Sequence, residues 1–237
     1  MRLDTYLFEN NLAQSRNKAS EMIKNREIFV DGKVITKTSF EVNETNKITI
    51  LDTIQYVSRA GYKLNGFLQD LHEFDVKDMT CLDIGSSTGG FVQVLLQYGA
   101  KKVVAVDVGS EQLHVSLRGE EKVELHEGCD IRHFTSEYSF DMLTCDVSFI
   151  PLESIIDDID RLAKEWIVLL FKPQFQVGKD VKRTKNGVVK DNAAINRVMD
   201  SFEAKAFALG WELISKCESV LKGKEGNVET FYCFKKR

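Results

Sequence analysis

Leu82-Asp83-Ile84-Gly85-Ser86-Ser87-Thr88-Gly89-Gly90-Phe91 is the most informative segment of this chain. An apolar strand pattern, 79–84, leads into it, and a helical pattern, 90–98, leads out of it. The glycines let the backbone pass close to a ligand. The spacing after Gly85 differs from the GxGxxG pattern of dinucleotide-binding turns. The stretch therefore predicts a cofactor turn without a pyrophosphate to hold, and a nicotinamide enzyme is the less favoured alternative.

The residues around this turn alternate between strand and helix patterns as far as the end of the sequence. Further strands are predicted over 102–107, 139–145, 166–171, 212–220 and 228–234, and a helix over 193–209. Apolar runs without alternation are typical of parallel strands covered on both faces. Repeated strand–helix units predict an α/β fold, a doubly wound, Rossmann-like sheet with ligands at the carboxyl ends of its strands.

Three carboxylates follow the predicted strands of this sheet. Asp83 closes the first strand, and Asp107 closes the second, where it would bind a ribose diol. Asp130 follows a third strand, which is predicted between 102–107 and 139–145, and would contact an adenine amino group. Together they bracket an adenosine and leave a negative rim for a sulfonium cation, which predicts an S-adenosylmethionine (SAM) pocket. The turn residues Gly85, Ser86, Ser87, Thr88, Gly89, Gly90 and Phe91, with Asp146, complete the candidate cofactor site.

The first 52 residues predict a separate small α+β domain. One amphipathic pattern puts Leu3, Leu7 and Phe8 on a common helix face. A second helix, 15–25, is capped by Ser15 and turns Ala19, Met22 and Ile23 inward. Asp31-Gly32 predicts a hairpin turn, and 47–51 a third strand. We assign 1–55 to this domain, 56–61 to a linker and 62–237 to the large domain.

Composition narrows the class of protein. The chain has 237 residues, a net charge of −4 and 43% hydrophobic residues, which suffice for a large domain plus a small one. No apolar run reaches the length of a membrane span, and the N-terminus is too polar for a signal peptide. The five cysteines lack CxxC spacing and the four histidines do not cluster, so we expect reduced thiols, no metal and a cytoplasmic location.

The N-terminal motifs resemble a known RNA-binding module. Arg2-Leu3-Asp4, 15–19 and 30–34 are similar to the ribosomal-S4-type RNA-binding domain. Glu27 departs from the group, whose members often have glycine there. Equal numbers of basic and acidic side chains in 1–52 leave a solvated, mixed-charge helix face as the alternative. The resemblance implies an RNA-binding stripe of basic residues: Arg2, Arg16, Lys18, Lys24, Arg26 and Lys33.

Four motifs of the large domain, 83–91, 105–109, 146–150 and 172–175, closely resemble the TlyA family. Its members join an S4-type domain to an FtsJ/RrmJ-like methyltransferase, and some are called haemolysins. The resemblance implies SAM-dependent 2′-O-methylation of cytidine in ribosomal RNA. Large-subunit RNA is favoured, because the sequence stops at Arg237 without the extension of longer members. A ribosome-assembly factor without catalysis, or a cytolysin, is the alternative.

Four polar residues in these contexts form the candidate catalytic set: Lys63, Asp146, Lys172 and Glu229. A ribose hydroxyl is a poor nucleophile, so the site must align it with the methyl group and remove its proton. We assign Lys172 as the general base, because Lys63 and the sulfonium would disfavour its ammonium form. Asp146 would orient Lys172, and Glu229 would position Lys63 or the hydroxyl. Each residue alone also suits a surface, capping or loop role.

A basic segment follows the assigned base. Residues 172–190 contain one acidic residue, Asp180, among six basic ones. Such a loop would grip an RNA backbone and close the site, and a mobile lysine-rich surface loop is the alternative. Arg59, in the predicted linker, would lie near both RNA and Lys63. The RNA contacts expected outside the first domain are Arg59, Lys179, Lys182, Arg183 and Lys185.

Overall fold

A computed structural model describes residues 1–13, 15–43, 45–50, 56–71 and 74–237. The chain divides into two compact units, Met1–Gln55 and Tyr56–Arg237. Leu51, the last residue of the predicted third strand, and His72, one of the four histidines, lie outside the described residues.

The first unit packs two helices on a three-stranded antiparallel sheet. Its sheet order is β2-β1-β3. Helix α2 begins as the sequence predicts, because Ser15 Oγ accepts a hydrogen bond from the Lys18 amide at 3.1 Å. Asp31 and Gly32 both have positive φ, as a tight hairpin turn requires. The elements are α1 (Leu3–Glu9), α2 (Arg16–Lys24), β1 (Ile28–Val30), β2 (Lys33–Val34) and β3 (Ile48–Ile50).

In the core of the first unit, the prediction that Phe8 shares a buried helix face with Leu3 and Leu7 is wrong. Leu3 and Leu7 are fully buried, but Phe8 is exposed. Leu3 and Leu7 are four residues apart and share one helix face, whereas Phe8 is rotated from Leu7 by about 100°. The predicted inward residues of α2 are buried: Ala19, Met22 and Ile23. The rest of this core consists of Ile28, Val30 and Val42.

The second unit is built on a seven-stranded sheet in the order β6-β5-β4-β7-β8-β10-β9. Strands β4 to β8 are parallel, while β10 runs antiparallel between β8 and β9. The predicted doubly wound α/β sheet is confirmed. Its strands are β4 (Thr80–Ile84), β5 (Lys102–Asp107), β6 (Val123–Glu127), β7 (Phe140–Cys145), β8 (Ala163–Phe171), β9 (Trp211–Glu218) and β10 (Thr230–Lys236).

Helices cover both faces of this sheet. They are α3 (Arg59–Gln69), α4 (Gly90–Gln97), α5 (Val115–Arg118), α6 (Ile156–Leu162), α7 (Pro173–Gln176) and α8 (Asn192–Ala208), with a short 3₁₀ turn at Leu152–Ser154. One apolar core contains Phe91 and Phe231, and the other contains Phe171 and Tyr232. The chain leaves β4 toward β5 on one side and reaches β7 on the other. This reversal opens a crevice at the carboxyl ends of the strands.

The predicted linker, 56–61, is part of the second unit. Arg59 to Gly61 form the first turn of α3, and the Val57 amide donates to Gln93 Oε1 at 2.8 Å. A Cβ on Gly61 would lie 2.5 Å from the Tyr56 ring, so glycine is required for this packing. The segment is therefore held against the helices that frame the site.

Among the described residues, no helix is long and apolar enough to cross a membrane. Within the same ranges, no three histidine, cysteine or acidic side chains are grouped to hold a metal ion.

Candidate active site

The glycine turn lies at the carboxyl end of β4. Gly85, Ser87 and Gly89 have φ of 77°, 46° and 91°. A Cβ at Gly85 would lie 3.1 Å from the backbone oxygen of Asp146, so a side chain there would push β4 and β7 apart. Strain and close approach together explain why this turn needs glycine.

Asp107 ties the turn to the end of β5. Its Oδ2 accepts from the Ser87 amide at 2.8 Å, and its Oδ1 accepts from the Gly109 amide at 2.7 Å. The carboxylate thus fixes the loops on both sides of the crevice. Its position at a strand end is the one that the sequence predicts for a ribose-binding group.

Asp83 is buried below the turn with one oxygen unsatisfied. Its Oδ1 accepts from Thr144 Oγ1 at 2.7 Å, while no described residue pairs with Oδ2. Burial raises the pKa of Asp83 to about 7, helped by the nearby charges of Asp146 and Asp107. The buried Ser86 Oγ also lacks a partner within the described ranges. Such orphaned acceptors suit a ligand that carries an ammonium group.

Asp130 is engaged by its neighbour Arg132. The Arg132 backbone amide and Nε donate to Asp130 Oδ1 at 3.0 and 2.9 Å, and the guanidinium also pairs with Oδ2. These hydrogen bonds lower the pKa of Asp130 to about 2. The residue lines the crevice, but its carboxylate already has strong donors. Its predicted adenine contact stays a prediction.

A cleft of about 360 Å³ opens above these groups. Five predicted cofactor residues line it: Gly85, Ser87, Asp107, Asp130 and Asp146. The other predicted turn residues do not line this cleft: Ser86, Thr88, Gly89, Gly90 and Phe91. Phe91 is a correction, because its ring is buried in the core beside Phe231 rather than in the cleft. A Cβ on Gly90 would collide with Ser58, so this glycine serves the packing of α3 on α4.

Two residues that the sequence analysis missed hold the outer wall of this cleft. Gln112 accepts from Ser87 Oγ at 3.0 Å. Glu127 Oε1 accepts from the amides of Gln112 and Leu113 at 2.9 and 3.3 Å, and from Arg118 at 3.0 Å. Glu127 ends strand β6, and a carboxylate at a strand end is the signal that would have found it.

The four candidate catalytic residues meet beside this cleft as two ion pairs. Lys63 Nζ lies 2.5 Å from Glu229 Oε2, and Lys172 Nζ lies 2.8 Å from Asp146 Oδ1. Lys172 also donates to Ser148 Oγ at 3.0 Å. Burial raises the pKa of Asp146, while the charges of Lys172 and Lys63 act in the opposite direction. The structure thus brings together side chains that are far apart in the sequence.

The sheet topology explains this convergence. Asp146 and Lys172 directly follow the parallel strands β7 and β8. Glu229 directly precedes β10, and Thr230 pairs with Phe171. Because β10 is antiparallel to β8, its beginning lies at the carboxyl end of β8. Lys63 reaches the same place from the second turn of α3.

A second cleft, of about 560 Å³, adjoins the first, and both contain Ser148 and Phe149. Phe149 is 86% exposed and has φ of 70°. A phenylalanine in the left-handed region is strained, and such strain concentrates at functional sites. The ring lies 4.9 Å from that of Phe175. Sequence reasoning missed this residue, since no local pattern marks a non-glycine residue with positive φ.

The basic segment after Lys172 has a defined turn structure. The Arg183 guanidinium donates to four backbone oxygens, those of Val177, Gly178, Lys179 and Val181, at 2.9 to 3.3 Å. Arg183 therefore organises the segment, which the sequence did not predict. Lys179, Lys182 and Lys185 are exposed, and Arg183 also lines the second cleft. Their RNA contacts stay predictions.

The other predicted RNA contacts differ in how they are engaged. Arg2 and Arg16 both pair with the buried Asp4, at 2.9 and 3.4 Å, and hydrogen bonding from Arg2 is the main reason that the pKa of Asp4 falls to about 2. Lys18 pairs with Glu21 at 3.3 Å. Arg59, in the second unit, donates to the Lys222 oxygen at 3.0 Å. Those that are simply exposed are Lys24, Arg26 and Lys33.

Comparison with known proteins gives the same division of the chain between two families. The FtsJ-like methyltransferase family matches residues 56–236, and the S4 domain matches residues 1–48. A Campylobacter jejuni protein is 47% identical over 99% of both chains, and its name is 23S rRNA (cytidine-2′-O)-methyltransferase TlyA.

Two further proteins extend the likeness. A Mycobacterium tuberculosis protein named 16S/23S rRNA (cytidine-2′-O)-methyltransferase TlyA is 37% identical, over 97% of this chain and 88% of its own. The solved structure of a putative hemolysin from Streptococcus thermophilus is 30% identical and superposes with a TM-score of 0.72, over all of this chain and 88% of that one.

Proposed function

The chain belongs to the TlyA family of FtsJ-like methyltransferases, and on that premise we propose that it methylates the 2′-hydroxyl of a cytidine in ribosomal RNA. One observation supports this proposal above all: two buried ion pairs, Lys172–Asp146 and Lys63–Glu229, lie where two clefts adjoin. One cleft suits a nucleoside cofactor, and the other suits a nucleotide of the acceptor.

The first cleft fits SAM. Its walls offer Asp107 for a ribose diol and Asp130 for an adenine amino group, while Asp83 lies beneath the turn with a free oxygen. When bound, SAM supplies an electrophilic methyl group on a cationic sulfur. The acidic residues around the turn favour such a cation by charge alone. No metal is needed for this chemistry.

Lys172 is the proposed general base. Asp146 and Ser148 hold its Nζ in one place, at the border of the two clefts. Lys63, the second buried lysine of the site, lines the same cleft as Lys172. Glu229 keeps Lys63 in position and limits the charge of the site. A positioned base of this kind contributes about 10²- to 10⁴-fold to a rate.

The second cleft is the proposed acceptor site. Phe149 and Phe175 give it an exposed aromatic wall on which a base can stack. Lys179, Lys182 and Lys185 give its neighbourhood the positive charge that a phosphate backbone requires. The S4-type unit would add a second RNA contact. We propose the large ribosomal subunit as the partner, as in the name of the Campylobacter jejuni relative.

Mapping of 2′-O-methyl groups tests this function. The purified protein is incubated with SAM and ribosomal subunits that lack the modification, and the RNA is then mapped. We expect one new methyl group on a large-subunit cytidine with wild type and none with Lys172→Ala. SAM binding without methyl transfer to either subunit would instead support a non-catalytic assembly factor.

A further inference from the structure

Asn227 is buried between β9 and β10, yet its side chain bonds to a different part of the chain. Its Oδ1 accepts from the Val189 amide at 3.0 Å, and its Nδ2 donates to the Gly187 oxygen at 3.4 Å. Its own backbone oxygen accepts from the Gly223 amide at 2.8 Å. The side chain is 3% exposed. A buried side-chain amide with two backbone partners holds the segment that it bonds to in place.

The segment fastened by Asn227 is a tight turn. Arg183 and Val189 form an antiparallel bridge, and the Thr184 amide donates to the Val188 oxygen at 2.8 Å. Thr184 Oγ1 also accepts from the Val188 amide at 3.0 Å, and Gly187 has φ of 81°. We call residues 183–189 the basic turn, because Arg183 and Lys185 lie in it.

The basic turn and the catalytic ion pair border one cleft. Arg183, Asn186 and Gly187 line the acceptor cleft together with Lys63 and Glu229. Asn227 lines it too, and it precedes Glu229 by only two residues. Residues 227–229 therefore contain both Asn227, which bonds to the basic turn, and Glu229, whose carboxylate pairs with Lys63.

We propose that Asn227 is a positioning residue that holds the basic turn across the acceptor cleft, in register with the Lys63–Glu229 pair. This inference rests on the proposed function, since the basic turn then contacts the RNA whose hydroxyl reacts. Asn227 touches neither the cofactor cleft nor the reacting atoms. Asn227 keeps the phosphate contacts of the basic turn at a fixed distance from the Lys63–Glu229 pair. A misplacement of about 1 Å between reacting groups can lower a rate by 10²-fold.

The experiment compares Asn227→Ala with Asn192→Ala, which removes an exposed amide at the start of α8. We expect N227A to lower kcat/KM for ribosomal RNA by at least about tenfold, with a SAM dissociation constant within about twofold of wild type. Limited trypsin digestion of the folded protein should cut faster at Lys182 and Lys185 in N227A. N192A should match wild type in all three measurements.

Thr184→Val supplies a second, independent variant. It removes one hydrogen bond inside the basic turn, from the Val188 amide to Thr184 Oγ1, and leaves Asn227 in place. If both residues act by ordering this turn, the double variant is about as slow as N227A alone, because the effects are not additive. If N227A does not fold, T184V tests the ordered turn by the same trypsin and kinetic readouts, and wild-type values in both would overturn the inference.

The inference is overturned by a wild-type trypsin pattern in N227A, or by rate losses in N227A and T184V that add fully. A loss of SAM binding in N227A would also overturn it, because the residue would then support the fold in general. Failure of wild type to methylate any ribosomal RNA would refute the proposed function instead. The trypsin comparison would still decide whether Asn227 orders the basic turn.

Discussion

Lys63 Nζ and Glu229 Oε2 lie 2.5 Å apart, although 166 positions separate the two residues in the chain. Lys63 is 8% exposed and Glu229 is 2% exposed. Removal of one partner of a buried ion pair leaves an unpaired buried charge, whereas replacement of both can be nearly neutral. This pair therefore allows stability and catalysis to be separated by mutation.

Glu229→Ala should destabilise the second unit by about 3–5 kcal/mol, because it breaks a buried ion pair by removing one partner. The neutral pair Lys63→Met/Glu229→Gln should recover most of this stability. Urea unfolding followed by tryptophan fluorescence measures it, since Trp166 and Trp211 both lie in the second unit. The double variant should remain inactive in methyl transfer. Equal stability losses in the single and double variants would contradict the expectation.

Lys172→Ala should lower the rate of methyl transfer by about 10²- to 10⁴-fold, the usual contribution of a general base. The SAM dissociation constant, measured by calorimetry, should change little. Lys190→Ala is the matched control, because it removes an exposed lysine from the same basic segment. Near-normal turnover by K172A would remove the base assignment.

The stability of the ligand-free protein should fall as pH rises toward 8 because of Asp83. Its pKa is raised from 3.8 to about 7, so the folded state binds this proton more tightly than the unfolded state. The group's stabilising contribution is full below its unfolded value and is lost as pH rises through about 7. Between pH 6 and 8 the loss is about 1 kcal/mol.

Asp83→Asn provides the comparison for this pH effect, because asparagine can still accept the hydrogen bond from Thr144. Melting temperatures of both proteins are measured from pH 5 to 8 without ligand. The wild-type curve should decline relative to that of D83N across this range. Parallel curves would mean that Asp83 is not the group that titrates.

Phe149→Ala and Phe149→Gly should both slow RNA methylation while leaving the SAM dissociation constant nearly unchanged. The glycine variant should also be the more stable of the two, because φ of 70° is strained for alanine and free for glycine. A difference of about 1 kcal/mol is expected from this backbone term. Wild-type kinetics in both variants would argue against stacking on this ring.

Charge reversal at Lys179, Lys182 and Lys185 should weaken RNA binding and flatten its salt dependence. Each lost phosphate contact lowers the slope of log K against log salt by about one unit. Lys101→Glu is the control, since this exposed lysine precedes β5, at the opposite end of the strands from the site. An unchanged salt slope in the triple variant would favour a surface loop without RNA contact.

Much of the fold was predictable because its signals are local. The run 102–107 became strand β5 with the same bounds, and Ser15 caps α2 as expected. The predicted strand ends also marked three of the candidate site residues: Asp107 ends a predicted strand, and Asp146 and Lys172 each follow one. The carboxyl ends of parallel strands lie at one edge of the sheet, so residues that end or follow these strands lie near one another.

The remaining features depend on contacts that no local pattern encodes. Phe8 and Phe91 are apolar in amphipathic contexts, and only packing decides that one is exposed and the other is buried in the core. Arg132 covers Asp130 through a turn whose geometry the sequence does not reveal. The left-handed backbone of Phe149 is likewise imposed by its surroundings, since phenylalanine does not favour it.

Arg183 does for the segment after Lys172 what a disulfide or a zinc ion does for many small domains: it cross-links the backbone. The link consists of hydrogen bonds to four carbonyls from one planar cation, and lysine cannot reproduce that fork. A conservative exchange to lysine should therefore be nearly as disruptive as truncation. The exposed side chains of Lys179, Lys182 and Lys185 take no part in these four hydrogen bonds, so substitutions there should change the surface charge without undoing the fold of the segment.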